Sequence, residues 1–368
     1  MIESATKPVP QAKSGIASIK PHMVFGAADA GAKIEIALDS NENAFGPSPK
    51  ALAAANAATG YLERYMENPA SILVPAIAST YGLETDRLAI GFGSDDLLAR
   101  IARAYLQPGT ALLRSQNSYL KVPNYAYSND AKPLTAPDNN FCTDVDSMLS
   151  CLTPETRIVY LANPDNPSGA TLLGNELRRL HAGLPSHVLL VIDGAYSEYV
   201  DDPNYETGED LVRAHANVIV TRSFSKIYGL AGLRVGWGYG PKKLIYALNK
   251  VKPPFNINGV AQLAAAESLK DKRFINRSIK HNLLYANKIK KFLEDYKIYS
   301  NPVSANFLFL DFEKCKYSAK YLYEKLKNKG IILRSTRDGY HINNKLRLTI
   351  GSKKENLKFL SVAKEVLN

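Results

Sequence analysis

A chain of 368 residues that is 45% hydrophobic and 22% charged can bury a large core, and its length suits two domains or one domain with a long elaboration. No apolar run approaches a membrane span, residues 1–16 lack the hydrophobic centre of a secretory signal, and Cys142, Cys151 and Cys315 form neither a CxxC pair nor a metal-like spacing. These features argue against a membrane protein, a disulfide scaffold and a thiolate metal site, and lead us to expect a cytoplasmic protein. The net charge of +11 is concentrated beyond about Gly240, where Lys, Asn, Ile and Tyr replace an Ala- and Leu-rich composition. That shift fits either a domain change or codon bias. The runs Lys288-Ile289-Lys290-Lys291 and Lys325-Leu326-Lys327-Asn328-Lys329 lie on amphipathic helical patterns without interleaved aromatics. They read as solvated helix faces, and no nucleic-acid partner is expected. The six histidines form no ligand set, and no metal is expected.

Residues 1–20 look like a polar arm. Ile36-Ala37-Leu38 is a short strand that runs into a turn rich in Asn, Gly and Pro, from Asp39 to Pro49. Helices are predicted over about 50–59 and 70–81, separated by the loop Arg64-Tyr65-Met66-Glu67-Asn68-Pro69. Leu88-Ala89-Ile90-Gly91 leads through a glycine turn to a helix that Ser94 is expected to cap, with Leu97, Leu98, Ile101, Ala102 and Tyr105 on one face. Free amides at such a helix start can receive a phosphate. Apolar strands follow at 111–113, 157–161, 188–192 and 217–220, with helical segments between them. Continuous apolar runs of this kind describe a buried, mostly parallel sheet in a βα series. Beyond Pro253 come helices over about 262–270 and 273–295, strands at 307–310, 331–334 and 345–350, and a helix over 319–329, a pattern typical of a smaller α/β unit.

One stretch stands out: Ser223-Phe224-Ser225-Lys226, then a glycine-punctuated turn, then Arg234. Read alone, Lys226 is either a surface lysine in a Gly-rich turn or an amine placed for imine chemistry on a phosphorylated aldehyde, with Ser223 and Arg234 holding the phosphate. Position adds weight to the second reading. Gly93-Ser94, Tyr119, Asn166, Asp193 and Lys226 all fall just past predicted strand ends, where ligands of parallel sheets bind.

Together with Asn163-Pro164-Asp165-Asn166-Pro167-Ser168-Gly169, Asp193-Gly194-Ala195-Tyr196 and Arg347-Leu348-Thr349-Ile350-Gly351, these residues make the chain resemble a fold-type I pyridoxal-5′-phosphate (PLP) aminotransferase. Within that group it is most similar to the histidinol-phosphate aminotransferase family, from about Ile19 to Ser352. The resemblance implies an α/β fold with a large PLP-binding domain over 46–270 and a small C-terminal domain over 271–368, with residues 1–45 forming an N-terminal arm and part of the small domain. It implies Lys226 as the Schiff-base lysine and acid/base, Asp193 as partner of the pyridine nitrogen, and Asn166 and Tyr196 at the ring hydroxyl oxygen. Tyr119 would stack on the ring. Ser94, Asp95 (through its backbone amide), Ser223, Ser225 and Arg234 would cradle the phosphate, and Tyr65 would reach the phosphate of a second subunit in a homodimer with shared active sites. Arg347 and Arg334 are expected to bind the anionic groups of the substrate, with His22 and Asn43 also on the substrate side.

By that resemblance the reaction is a ping-pong transfer of an amino group from a small-molecule donor to a 2-oxo acid, with L-histidinol phosphate and 2-oxoglutarate as the leading pair. Aromatic amino-acid transamination is the nearest alternative, and decarboxylation of a phosphorylated amino acid or a non-catalytic basic binding role are more distant ones. Four departures bear on the substrate. His22 stands where the family commonly has tyrosine, Met66 follows Tyr65 in place of proline, the loop around Tyr119 lacks the usual proline and second aromatic, and Gly194 replaces a glutamate.

Overall fold

The computed structural model describes residues 10–19, 34–66 and 71–368. Its strands are β1 (Ile36–Leu38), β2 (Leu88–Gly91), β3 (Ala111–Ser115), β4 (Lys132–Ala136), β5 (Thr156–Ala162), β6 (Leu189–Asp193), β7 (Val218–Ser223), β8 (Gly236–Tyr239), β9 (Tyr299–Ser300), β10 (Phe307–Asp311), β11 (Ile331–Ser335) and β12 (Lys345–Thr349). Seven of them form one sheet in the order β2-β8-β7-β6-β5-β3-β4. Only β8 runs against its neighbours, so β2 points the same way as the parallel strands. The apolar runs of β5 and β6 explain why both faces of this sheet are covered. Val159, Leu161, Leu190 and Ile192 enter one core, while Ile158, Tyr160, Leu189 and Val191 enter the other, as a two-residue period requires.

The second sheet has the order β1-β11-β12-β10-β9. β1 is parallel to β11 and the remaining pairs are antiparallel. A strand from the start of the chain therefore completes a sheet made from its end. Helix Lys272–Glu294 joins the two sheets: Ile275 and Ile279 pack on the core that holds Val159 and Leu190, and Tyr285, Ala286, Ile289 and Leu293 on the core of the second sheet. The fold is the mostly parallel α/β architecture that the sequence pattern implies.

Gly236-Trp237-Gly238-Tyr239, outside the predicted strands, is the antiparallel strand β8, second from one edge of the large sheet. Gly236 serves close packing: a Cβ there would lie 2.7 Å from the Ser94 amide nitrogen. One local expectation is corrected. Helix Ser94–Tyr105 is not capped by a Ser94 side chain; its N-cap is Gly93, at φ +78°. Short elements without a readable period, such as helices Val122–Tyr127 and Val145–Ser150 and strand β4, were not foreseen.

Candidate active site

The carboxyl ends of β2, β3, β5, β6 and β7 share one edge of the large sheet, and a cavity of about 170 Å³ opens there. Ser94, Asp95, Tyr119, Asn166, Asp193, Tyr196, Ser223, Ser225, Lys226 and Arg234 all line it. Residues dispersed over 140 positions are thus brought to one place by strand geometry.

Lys226 follows β7 in a turn closed from outside by the segment 40–46. Its Nζ donates to the Ser40 carbonyl at 3.2 Å and lies 5.7 Å from the Tyr196 ring centroid. Asn43 Nδ2 donates to the Ile227 carbonyl at 2.8 Å. Gly229, at φ +68°, meets the Gly46 carbonyl so closely that a Cβ would stand 2.0 Å from the oxygen. Burial, then the nearby Arg347 guanidinium, lowers the Lys226 ammonium to about 8.

Asp193 ends β6 and is 7% exposed. Tyr160 donates to its Oδ2 at 2.9 Å and Thr221 to its Oδ1 at 3.3 Å. No described cation forms an ion pair with it, and burial raises it to about 6. The site thus holds an acid whose ionisation favours a positive partner inside the cavity.

At the other end the walls turn into donors. The start of helix Ser94–Tyr105 presents backbone amides, and the Asp95 carboxylate is turned to the hydroxyls of Tyr119 (3.1 Å) and Tyr125 (2.6 Å). Arg234 takes the left-handed conformation, φ +54°, and its Nη1 donates to Ser225 Oγ at 3.3 Å and to the Ala231 carbonyl at 2.9 Å. Its Nη2 packs where a Cβ on Gly93 would stand, 2.6 Å away, so only glycine permits this approach. Guanidinium, two serines and helix amides together form an anion cradle.

Tyr196 accepts from Asn41 Nδ2 at 3.0 Å, and Asn41 is fixed in turn by Thr349. Asn166 Oδ1 accepts from Arg347 Nη1 at 2.6 Å and from the Tyr340 hydroxyl at 3.1 Å. Arg347 Nη2 reaches the Asp39 carbonyl at 2.5 Å, while its buried Nε has no partner among the described residues. Arg334 stands directly opposite Arg347 in the β11–β12 register. It lines a second cavity of about 900 Å³, together with Arg114, Arg337 and Tyr340.

A family model of class I and II aminotransferases matches residues 33–362. The chain belongs to that family. The histidinol-phosphate aminotransferase of Pelagibacter ubique is 45% identical over 333 residues, covering 90% of this chain and 92% of that protein, so the chain is also a member of the histidinol-phosphate aminotransferase family. The crystal structure of histidinol-phosphate aminotransferase from Sinorhizobium meliloti in complex with pyridoxal-5′-phosphate matches with a TM-score of 0.84 at 27% identity, covering 91% of each chain. The aspartate aminotransferase from Thermus thermophilus with maleate, at 19% identity, shares the fold: its TM-score is 0.85 over 98% of this chain and all of that one. The molecule is therefore a fold-type I aminotransferase, an enzyme of a PLP-dependent family.

Not every anticipated residue of this aminotransferase reaches the cavity. Asn43 does not face it: its amide is spent on Ile227, and its Oδ1 accepts from the Phe45 amide at 2.9 Å. Tyr65 is 79% exposed and stacks on Phe255 at 4.2 Å, away from the cavity of its own chain. His22 lies outside the described residues. Sequence reading missed Asn41, Tyr125, Tyr160 and Tyr340. Of these only Tyr160 carried a signal, since it alternates with Val159 on a strand ending at the site. The Gly194 departure has a structural counterpart. A Cβ there would lie 2.5 Å from Ser197 Oγ and 3.0 Å from Arg222 Cδ, and Arg222 instead pairs with Glu198 (2.9 Å) and Glu209 (3.1 Å).

Proposed function

We propose that this aminotransferase binds PLP in the smaller cavity and transfers an amino group from L-histidinol phosphate to 2-oxoglutarate by a ping-pong cycle, with Lys226 as the covalent anchor. The donor set suits the cofactor. Asp193 would face the pyridine nitrogen, Asn166 and Tyr196 the ring oxygen, and Tyr119 the ring face. The amides of Ser94 and Asp95, with Ser223, Ser225 and Arg234, would hold the phosphate. When bound, the cofactor supplies an electron sink that acidifies the substrate α-carbon.

The remaining work falls to the chain. The lowered Lys226 ammonium leaves a substantial neutral fraction near pH 8, so Nζ can take a proton from the substrate α-carbon and deliver it again. Asp193 stays ionised beside a cation, since the pairing offsets its buried charge. Arg347 orients the substrate at the boundary between the cavities, and Arg334 takes an anion in the larger one.

What carries the choice of donor is the pairing of Arg334 with Arg347 across β11 and β12, both less than a tenth exposed. Burial and Arg347 together lower the Arg334 pKa, so each guanidinium gains from an anion placed between them. A doubly charged phosphate meets that demand better than a lone carboxylate.

We further propose a cytoplasmic homodimer with shared sites, each chain built from a large domain over 46–270 and a small one over 271–368 completed by 1–45. Tyr61, Leu62, Tyr65, Phe92 and Phe255 are exposed and line an apolar cavity of about 750 Å³. The Arg234 guanidinium carbon lies 5.7 Å from the Phe92 ring centroid, so this face adjoins the phosphate end. A second copy covering it would bring its own Tyr65 to that end. No described helix is long and apolar enough to cross a membrane.

The experiment is a half-reaction. Holoenzyme is mixed separately with L-histidinol phosphate, phenylalanine and glutamate while the cofactor spectrum is followed. Fast conversion by histidinol phosphate and little by phenylalanine is expected. The reverse order would replace this donor by an aromatic amino acid.

A further inference from the structure

The loop between β11 and β12 inserts one tyrosine into the wall separating the two cavities. Tyr340 lines the larger, while its hydroxyl donates to Asn166 Oδ1 in the wall of the smaller. With Arg347 Nη1 also donating to that oxygen, the Asn166 amide cannot turn over, because a flipped NH₂ would confront two donors. Burial pushes the Tyr340 phenol well above its ordinary value, so the group remains a protonated donor at working pH. The loop is firmly tied. Fully buried Thr336 places Oγ1 3.1 Å from the Ile342 carbonyl and 2.9 Å from the Lys345 carbonyl, bracketing Tyr340 on both sides.

The two donors to Asn166 differ in one respect. Arg347 is the proposed binder of the substrate anion, which would compete for its guanidinium. Tyr340 is neutral and has no such competitor. We propose that Tyr340 is a positioning residue: it holds the Asn166 amide with its nitrogen toward the cofactor ring oxygen, and keeps it there while Arg347 is engaged by substrate. This rests on the cofactor placement proposed above.

The test is the Tyr340→Phe holoenzyme, which loses one oxygen and little volume. Its visible cofactor absorbance is titrated with pH in the absence of substrate. A loosened Asn166 donor leaves more negative charge on the ring oxygen, so a proton nearby is held more tightly. The midpoint should therefore move up by roughly half a unit to one unit, the size of one hydrogen bond. In an Asn166→Ala background the same change should add no shift, because the partner through which Tyr340 acts is gone. A midpoint that stays put while KM rises would reduce Tyr340 to a cavity wall and overturn the proposal. So would a shift of equal size in the Asn166→Ala background. If the wild-type protein carries no visible cofactor band, the cofactor placement itself falls, an outcome distinct from an unmoved midpoint.

Discussion

The two cavities of this enzyme are built on different principles. The smaller is walled by residues at strand ends and by a helix start, all anchored to one seven-stranded sheet. The larger draws mainly on the segments Gln116–Asn124 and Arg337–Asn343, with Arg114, Thr135 and Arg334 from strands and Ser18 from the arm, so both sheets and the start of the chain contribute. Rigid strand ends fix chemistry to within the tolerance of proton transfer, whereas loops carry selectivity, because they change without disturbing the sheet. Damage to the first cavity should therefore abolish the reaction for every donor, and damage to the second should re-rank donors.

The sharpest way to break that comparison is Lys226→Ala. Turnover should fall by at least about 10⁴-fold with every amino donor, since anchor and proton carrier vanish together. Near-normal half-reaction rates in this variant would remove Lys226 from the mechanism. Its melting temperature should change little, because among the described residues Nζ makes one hydrogen bond, to the Ser40 carbonyl, and one distant ring contact, to Tyr196.

Asp193→Asn comes next, with kcat reduced by roughly 10²–10³-fold for all donors alike. It carries a second signature in the cofactor-free protein. The folded value of Asp193 lies near 6, above its ordinary 3.8, so the native state binds the proton more tightly than the unfolded chain. The penalty of the buried charge is absent below about pH 4 and grows as pH rises through 6. At pH 8 it reaches about 3 kcal/mol at most. Urea melts should show the variant gaining on the wild type between pH 5 and pH 8, and parallel curves would contradict the assigned burial.

Arg334→Gln sharpens the contrast from the other side. For L-histidinol phosphate, kcat/KM should drop roughly 10- to 100-fold, the worth of a charge-assisted hydrogen bond, with phenylalanine far less affected. An equal loss for both donors would mean that Arg334 serves the fold and not the choice of substrate.

Gly194→Ala should have the smallest effect on catalysis. Its new Cβ would press on Ser197 and Arg222, outside either cavity, costing about 1–3 kcal/mol of stability with turnover per folded molecule unchanged. Denaturant midpoints with active-site titration separate the two, and a loss of specific activity would tie the Arg222 cluster to the site.

The same division governs what could be read from the chain before its structure. Lys226, Asp193, Asn166 and Ser94 were legible because apolar strands announce themselves and each of these residues sits at a strand end or a few positions past one. β8 was not, since Gly236 and Gly238 lower strand propensity, and Gly236 is there for contact with the helix start. In Ser40-Asn41-Glu42-Asn43, either asparagine could have been chosen. The positive φ of Asn41 (+55°) is what aims it at Tyr196 and leaves Asn43 to Ile227, and spacing carries no trace of that. Tyr340 meets Asn166 across 174 residues, from a loop without periodicity. The role proposed for Tyr65 needs a second copy of the chain, which one sequence cannot display.

The clamp that residues 40–46 place on the Lys226 turn also sets an order of events during synthesis. Ser40 and Lys226 are 186 positions apart. At 5–20 residues per second, roughly 10–40 s pass on the ribosome between the emergence of the two. Through that interval the clamp has nothing to close on. β1, which leads into it, waits longer still for β11, at the far end of the chain. The bonds that hold the lysine in place therefore cannot form until most of the large sheet has been synthesised, and the support that β1 gives them waits for β11.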